Sequence, residues 1–296
     1  MSKRTIEIQN PCKLSIKNEQ LVIALKEAES SVPLEDIWVI ILESQHATVT
    51  SAALSKIADN GIGVITCDGT HHPNGLFLPI GAHSRHAEIV KHQLSISKPL
   101  QKRLWQKIVV QKITNQHLCL KYLNDDIDDT LLKIARSVQS GDTNNKEAHA
   151  AEIYFKKYLP DGTRRTSTLT AALDYGYAIM RAGIARAAVS YGWLVSRGIH
   201  HDNESNAFNL VDDLIEPFRP VVDFMIAKQP PQDGLTPTYK RYLASLHEQV
   251  VLLDGREFIV QTATNIMLES LKRAVVNKES DLLLLPSLTN KSTNGR

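Results

Sequence analysis

The hydrophobic pattern of this chain changes period once, near residue 83, and that change limits the fold more than any composition figure. Before it, short apolar runs alternate with polar residues at every second position; after it, apolar residues recur every three or four positions. The first pattern is that of half-buried strands and the second that of amphipathic helices. Residues 5–8 alternate, and so do 14–16 and 21–24, on either side of the polar step Lys17-Asn18-Glu19-Gln20, a hairpin signal. Residues 37–42 (I-W-V-I-I-L) are a short continuous apolar run, the pattern of a buried strand. Thr50-Ser51 precedes a short helical segment over 52–58 that stops at Asn60-Gly61. Residues 63–66 and 76–78 read as further strands about the polar turn 68–75. Strands first and helices second predict an α+β chain of segregated parts rather than a βαβ fold. The expected division is a β-rich domain over 1–82, a linker over 83–97, an all-α domain over 98–285 and a flexible tail over 286–296.

Within the helical part, residues 89–121 read as one or two long helices. A boundary at Ser97-Lys98-Pro99 would place Pro99 early in a helix. Further helices are predicted over 130–138, over 146–159 with Asn144-Asn145 as N-cap, and over 167–190, 209–227, 236–253 and 258–276. No glycine-rich phosphate loop of either standard pattern occurs in the β-rich part.

Composition enters mainly through what it excludes. With 296 residues, 43% hydrophobic and 22% charged, the chain has ample material for a core. It holds no run of 18 apolar residues and opens M-S-K-R-T-I, so neither a membrane span nor a secretory leader is expected. Cys12, Cys67 and Cys119 form no C-x-x-C pair, which argues against a zinc knuckle and a disulfide framework; a cytoplasmic location is expected. A net charge of +2 says little, but the distribution says more. Residues 89–124 carry seven basic side chains (Lys91, Lys98, Lys102, Arg103, Lys107, Lys112, Lys121) and no acid, and Asp125, Asp126, Asp128 and Asp129 follow. Two readings fit: a stripe facing phosphates, or a solvated helix face in an unevenly charged protein.

The stretch from 198 to 220, G-I-H-H-D-N-E-S-N-A-F-N-L-V-D-D-L-I-E-P-F-R-P, gathers candidate chemistry. It opens on His200 and His201 and continues into a helical pattern carrying Asp212, Asp213 and Glu216. Asp213 and Glu216 are three apart and share a helix face. An imidazole with facing carboxylates is a donor set for a divalent metal; a surface histidine pair beside a solvated acidic helix fits the same residues. Pro217 cannot donate to the carbonyl of Asp213, so the helix must kink or open there, a bend that would help aim Glu216 across to another helix. That helix is marked by Glu147, which heads the stripe Glu147, Ala150, Ala151, Tyr154, Phe155, Tyr158. Either Glu147 is a third ligand, or it is a first-turn acid favouring the helix dipole by about 0.3–1 kcal/mol.

Taken in order, E-x-x-A-A-x-x-Y-F (147–155), L-D-Y-G-Y-A-I (173–179), G-I-H-H (198–201) and D-D-L-I-E-P-F-R-P (212–220) resemble the CRISPR-associated integrase family, the larger adaptation subunit. R-T-I-E-I and K-L-S-I-K-N-E-Q-L-V-I near the start resemble its β-domain in type II systems, so the resemblance covers nearly the whole chain. It implies a metal-dependent DNA endonuclease and integrase that inserts prespacer DNA into the CRISPR array by 3′-OH transesterification. It implies Mg²⁺ or Mn²⁺ held by Glu147, His201 and Glu216, with Asp213 the next acid and Asp212 the last. The partners it implies are prespacer and repeat DNA, a second copy of the chain, and a small second subunit whose dimer is flanked by two dimers of this one. A non-catalytic DNA-binding subunit of the same architecture and an unrelated helical metallohydrolase are the competing readings. Lys156, Lys157, Arg164, Arg165 and Arg219 are candidate DNA contacts, against solvated surface positions; Arg219, three residues after Glu216, has pairing beside the ligands as a further alternative, and His200 is a DNA contact or a loop residue. Asp174 stands where the family motif has Asn and adds an acid to a helix read as buried.

Overall fold

The computed structural model describes residues 3–69, 73–79, 83–124 and 128–291. Its N-terminal part runs β1 (Arg4–Ile8), β2 (Lys13–Lys17), β3 (Gln20–Ala24), β4 (Glu29–Pro33), β5 (Ile37–Leu42), β6 (Thr48–Val49), α1 (Ser51–Asp59), β7 (Gly63–Cys67) and β8 (Pro73–Phe77). Two four-stranded sheets result, ordered β1-β5-β7-β8 and β4-β3-β2-β6. In the first, β1, β5 and β7 are parallel and β8 closes the edge antiparallel. The β2–β3 hairpin turns at Asn18 and Glu19, with φ of 51° and 56°, the left-handed pair that a two-residue hairpin requires. β4 is unannounced by the sequence: E-S-S-V-P is polar and ends in proline, which an edge strand tolerates. Thr50 caps α1, its hydroxyl accepting from the Ala53 N–H.

The second part runs α2 (His86–Leu94), α3 (Lys98–Leu123), α4 (Thr130–Arg136), α5 (Lys146–Tyr158), α6 (Thr170–Ser190), α7 (Asn209–Leu214), α8 (Arg219–Lys228), α9 (Pro237–Ala244), β9 (Val250–Leu253), β10 (Arg256–Ile259), α10 (Val260–Asn277) and β11 (Ser287–Leu288). Pro99 falls in the first turn of α3, as its position predicts. Helix α2 lies inside the stretch expected to be a linker. It is held by Gln93, whose amide donates to the carbonyls of Leu194 and Arg197 and accepts from the Leu194 N–H. The N-cap expected at Asn144-Asn145 is supplied instead by Asp142, whose carboxylate accepts from the N–H groups of Lys146 and Glu147. Asn145 itself is left-handed, with φ of 50°.

The expectation of an all-α second domain needs correction. β9, β10 and β11 form an antiparallel sheet ordered β10-β9-β11. Its hairpin turns on Asp254-Gly255, with φ of 51° and 72°, between V-V-L-L and R-E-F-I. An Asp-Gly pair between apolar runs is a strong hairpin signal, and it shortens both helices expected to flank it. The tail is likewise not loose where it begins. β11 pairs with β9, Leu288 and Thr289 are buried, and only residues 292–296 lie outside the description.

β5 is buried on both faces, which explains its unbroken apolar run. Trp38, Val39 and Ile41 join the core formed by α3, α6, α8 and α10, while Ile37 and Ile40 face the cluster enclosed by the two sheets and α1. Gly183 on α6 admits the Trp38 ring, which a Cβ there would strike. Among the described residues, no helix is long and apolar enough to cross a membrane.

Candidate active site

Helix α3 carries Trp105, Ile108, Val109, Lys112 and Gln116 on one stripe, and all five are buried. Lys112 is the anomalous member, because a charge at a core position is costly unless it is paired. Its ammonium donates to Glu147 Oε1 at 2.6 Å and forms an ion pair with Glu216 Oε2. Arg219 holds the other oxygen of Glu216, Nε to Oε1 at 2.8 Å. Two of the expected ligands, from separate helices, therefore converge on one cationic point. Burial opposes charge on Glu216, but Lys112 and Arg219 outweigh it and hold the carboxyl down to about 2. Burial equally opposes charge on Lys112, and Glu216 and Glu147 outweigh it, so the ammonium titrates above its ordinary value.

Pro217 sets the approach of Glu216. α7 ends at Leu214, residues Glu216–Phe218 form one 3-10 turn, and α8 starts at Arg219. The Phe218 N–H bonds back to Ile215 at 2.8 Å, so three-residue bonding replaces the helical ladder where Pro217 lacks a donor. Asn115 on α3 pins the same turn, donating to the carbonyls of Pro217 at 2.7 Å and Pro286 at 2.9 Å.

His201 is positioned by Asp213. This fully buried carboxylate accepts from the backbone N–H groups of Ile199 at 2.6 Å, His200 at 2.9 Å and His201 at 3.2 Å. It also bonds the His201 ring at Nδ1 at 2.7 Å. Gly198 makes this possible, because a Cβ there would meet Asp213 Oδ2 and the His201 carbonyl. With Nδ1–H donated to a carboxylate, Nε2 is left as the acceptor nitrogen. The bond to Asp213 raises the His201 pKa, against the opposing effect of burial. Trp105 supports the loop from below: His200 stacks on it at 4.2 Å and 2°, and His201 meets it edge-on at 5.7 Å. Both oxygens of Asp213 are thus engaged behind His201, and Asp212 pairs bidentately with Arg181 at 2.6 and 2.9 Å.

Among the described residues, no three His, Cys, Asp or Glu side chains come close enough to hold an ion together. Glu147 and Glu216 close on Lys112, and His201 closes on Asp213. The chemistry of the set still suits a hard divalent cation. Two carboxylates already share one cation, and the imidazole has the carboxylate partner that metal-binding histidines usually have.

Beside Glu216 opens a cavity of about 720 Å³ lined by Lys112, Arg164, Arg165, Arg181, Glu216 and Arg219 among others. Arg164 and Arg219 lie over the Tyr177 ring at 5.1 and 4.8 Å, and Arg181 over Phe208 at 4.7 Å. Arg164 and Arg165 are presented by a turn stitched through Asp161, which bonds Ser167 and Thr168. Three of the five expected DNA contacts, Arg164, Arg165 and Arg219, therefore face one space. Lys156 and Lys157 do not; both are exposed on α5, and Lys157 pairs with Asp128 at 3.4 Å. Asp125 and Asp126 lie outside the described residues. Asp174 is exposed rather than buried, and its partner is Arg164 at 2.6 Å. Of the basic stripe on α3, Lys112 points inward while Lys98, Lys102, Arg103 and Lys121 are exposed.

The family-like tyrosines converge on a residue that sequence reasoning missed. Asp223, on α8 and buried, accepts from Tyr154 at 2.8 Å and Tyr177 at 2.5 Å, while its carbonyl accepts from Tyr158 at 2.7 Å. Its spacing of seven from Glu216, on one face of the helical pattern, was the available signal. Burial raises its carboxyl from the ordinary 3.8 to about 6, against the lowering effect of both tyrosine hydrogen bonds. The folded state therefore holds a proton that the unfolded chain releases across that window. Wild-type protein should gain stability relative to Asp223→Asn as the pH falls from about 6 toward 3.8, and hold a constant offset above it. Melting temperatures of both proteins across that range check the sign.

Comparison with known proteins places the chain closely. The family model described as "CRISPR associated protein Cas1" matches residues 7–241. The CRISPR-associated endonuclease Cas1 of Neisseria meningitidis serogroup C (strain 8013) is 38% identical over 295 residues, 97% of each chain. Among solved structures, a casposase bound to integration product is similar at a TM-score of 0.76 and 18% identity, covering 94% of this chain and 91% of that one. A Cas6-RT-Cas1–Cas2 complex is similar at a TM-score of 0.73 and 18% identity, covering 95% of this chain and 36% of that one. At such identities the structural likenesses establish the fold.

Proposed function

The chain belongs to the Cas1 family, and on that premise we propose that it is the metal-dependent integrase and endonuclease of CRISPR adaptation, inserting prespacer DNA into the CRISPR array by 3′-OH transesterification. The observation that carries this reading is the convergence of Glu147 and Glu216 on one cationic point at the edge of an arginine-lined cavity. The relatives support it: one is named an endonuclease, and a protein of the same fold is bound to an integration product.

Glu147, Glu216 and His201 are the proposed ligands of Mg²⁺ or Mn²⁺, with Asp213 holding His201 from behind. When bound, the ion polarises the scissile phosphate and offsets charge that develops in the transition state. The chain's own residues do the rest. Asp213 fixes the tautomer and direction of His201, so its binding nitrogen is presented without reorganisation. Arg164, Arg165 and Arg219 hold phosphate groups in the cavity, where planar guanidinium groups match phosphate oxygens, and Arg181, its fork taken by Asp212, adds positive charge beside them. The cation–π contacts of Arg164 and Arg219 with Tyr177 limit their motion. Lys156 and Lys157 serve DNA outside that cavity. The proposed partners are a second copy of this chain and a small Cas2-like subunit, after the Cas1–Cas2 complex of the same fold, with the assembly working in the cytoplasm.

Strand transfer of a 3′-OH oligonucleotide into a repeat-bearing plasmid tests the reading. Product should form in Mg²⁺ or Mn²⁺ and vanish in EDTA. DNA binding without any metal-dependent product would replace it with the non-catalytic assembly role. The cavity has its own test in Arg165→Ala, an exposed member whose loss spares the fold. DNA affinity should weaken evenly across sequences, and the slope of log K against log salt should fall by about one.

A further inference from the structure

We propose that Lys112 is the resident counter-ion of the metal site: the divalent ion must displace its ammonium from between Glu147 and Glu216, and the displaced ammonium becomes a phosphate contact in the arginine-lined cavity. The proposal rests on reading Glu147 and Glu216 as metal ligands. Three observations lead to it. First, Lys112 occupies a core position of α3, where an unpaired charge is not tolerated, and both of its partners are proposed ligands. Second, two carboxylates directed at one point repel one another unless a cation lies between them, so the site is held together by Lys112 whenever no metal is bound. Third, Lys112 also lines the cavity with Arg164, Arg165, Arg181 and Arg219, so a short swing of a flexible four-carbon stem transfers its charge from the carboxylates to a phosphate.

Linkage then fixes the sign of a coupling. A phosphate in the cavity favours the displaced ammonium, which frees the carboxylates for metal; by reciprocity, metal favours phosphate binding. Lys112 thereby links occupancy of the metal site to arrival of the nucleic acid. Without nucleic acid, the ammonium competes with the ion.

Titration of Mn²⁺, followed by the electron paramagnetic resonance signal of the free ion, reads this without any assay of turnover. Lys112→Met should bind Mn²⁺ about tenfold more tightly than wild type in the absence of DNA. In wild type, a short 3′-OH oligonucleotide should raise Mn²⁺ affinity about fivefold or more, after correction for the oligonucleotide alone, and in Lys112→Met that gain should be markedly smaller, the remainder being the ion's own contact with phosphate; an undiminished gain overturns the role of Lys112. Lys112→Arg, which keeps the charge, should remain near wild type in the absence of DNA. Equal or weaker Mn²⁺ binding by Lys112→Met, with wild type binding normally, overturns the role of Lys112 and leaves the metal reading standing. If Lys112→Met does not fold, a wild-type affinity indifferent to the oligonucleotide overturns it. No Mn²⁺ binding by either protein overturns the metal reading and this inference together.

Discussion

Glu216→Gln should lower strand transfer by about three orders of magnitude, the scale of the several kcal/mol that a bound cation supplies to charge development at phosphate. The same substitution should lower thermal stability. Glu216 is the acid that both Lys112 and Arg219 answer, and its side chain is 7% exposed. Removing the charge leaves a buried ammonium paired, among the described residues, with Glu147 alone and deprives Arg219 of its carboxylate. Breaking a buried pair from one side typically costs about 3–5 kcal/mol. Glu147→Gln separates the two effects. Its side chain is 26% exposed, so solvent softens the loss of the ion pair, yet its proposed role as ligand is equal. The expected result is comparable loss of activity with a smaller fall in melting temperature. Strand-transfer rates and thermal melts of the two variants decide this, and activity within tenfold of wild type for either would remove that residue from the site.

The second large effect is at Asp213, a residue that need not touch the ion. Asp213→Ala strips acceptors from three backbone N–H groups and from His201 Nδ1 in a single step. Hydrogen bonds to a charged acceptor are worth about 1.5–3 kcal/mol each, and a buried donor left without a partner carries its own desolvation cost. A loss of about 3–5 kcal/mol in stability is expected, together with a drop in strand transfer, because His201 loses both its tautomer and its direction. Asp213→Asn should be little better. Its amide would turn N–H donors toward a loop that already presents donors. Asp212→Asn is the control: its partners are Arg181 and Asn206, away from His201, and its effect on strand transfer should be several-fold at most. Chemical denaturation with strand-transfer rates for the three proteins makes the comparison. Near-normal turnover by Asp213→Ala would dissociate His201 from the chemistry.

Several features of the fold were legible because local chemistry and global packing agree there. The apolar run of β5, the positive-φ turn between β2 and β3, and the proline that opens α3 all needed only neighbouring residues to be recognised. β4 was not legible, since pairing with β3 rather than its own pattern makes it a strand. The β9–β10 hairpin was legible in Asp254-Gly255 but hidden by the helical periods on either side, which absorbed V-V-L-L into a helix. In the site, the spacing of Asp213 and Glu216 indicated a shared neighbourhood but not their partners. Asp213 turns back to the G-I-H-H loop, and Glu216 reaches α3. Lys112 was visible only as one charge in a basic run. Counting from Trp105 and Ile108 places it at i+7 and i+4, a core position on a helix whose other lysines are exposed or half-buried, and that offset was the signal. Arg181 and Asp223 gave less warning, because their importance lies in a cavity and a tyrosine cluster assembled from distant segments.

The central claim is that Glu147 and Glu216, with His201, hold one divalent ion in the place where Lys112 now joins the two carboxylates. Anomalous scattering from a Mn²⁺-soaked crystal tests it most directly. A peak at Glu147, Glu216 and His201, with the Lys112 ammonium withdrawn toward the cavity, is the expected result. Lys112 still joining both carboxylates in a crystal whose Mn²⁺ lies elsewhere would contradict it.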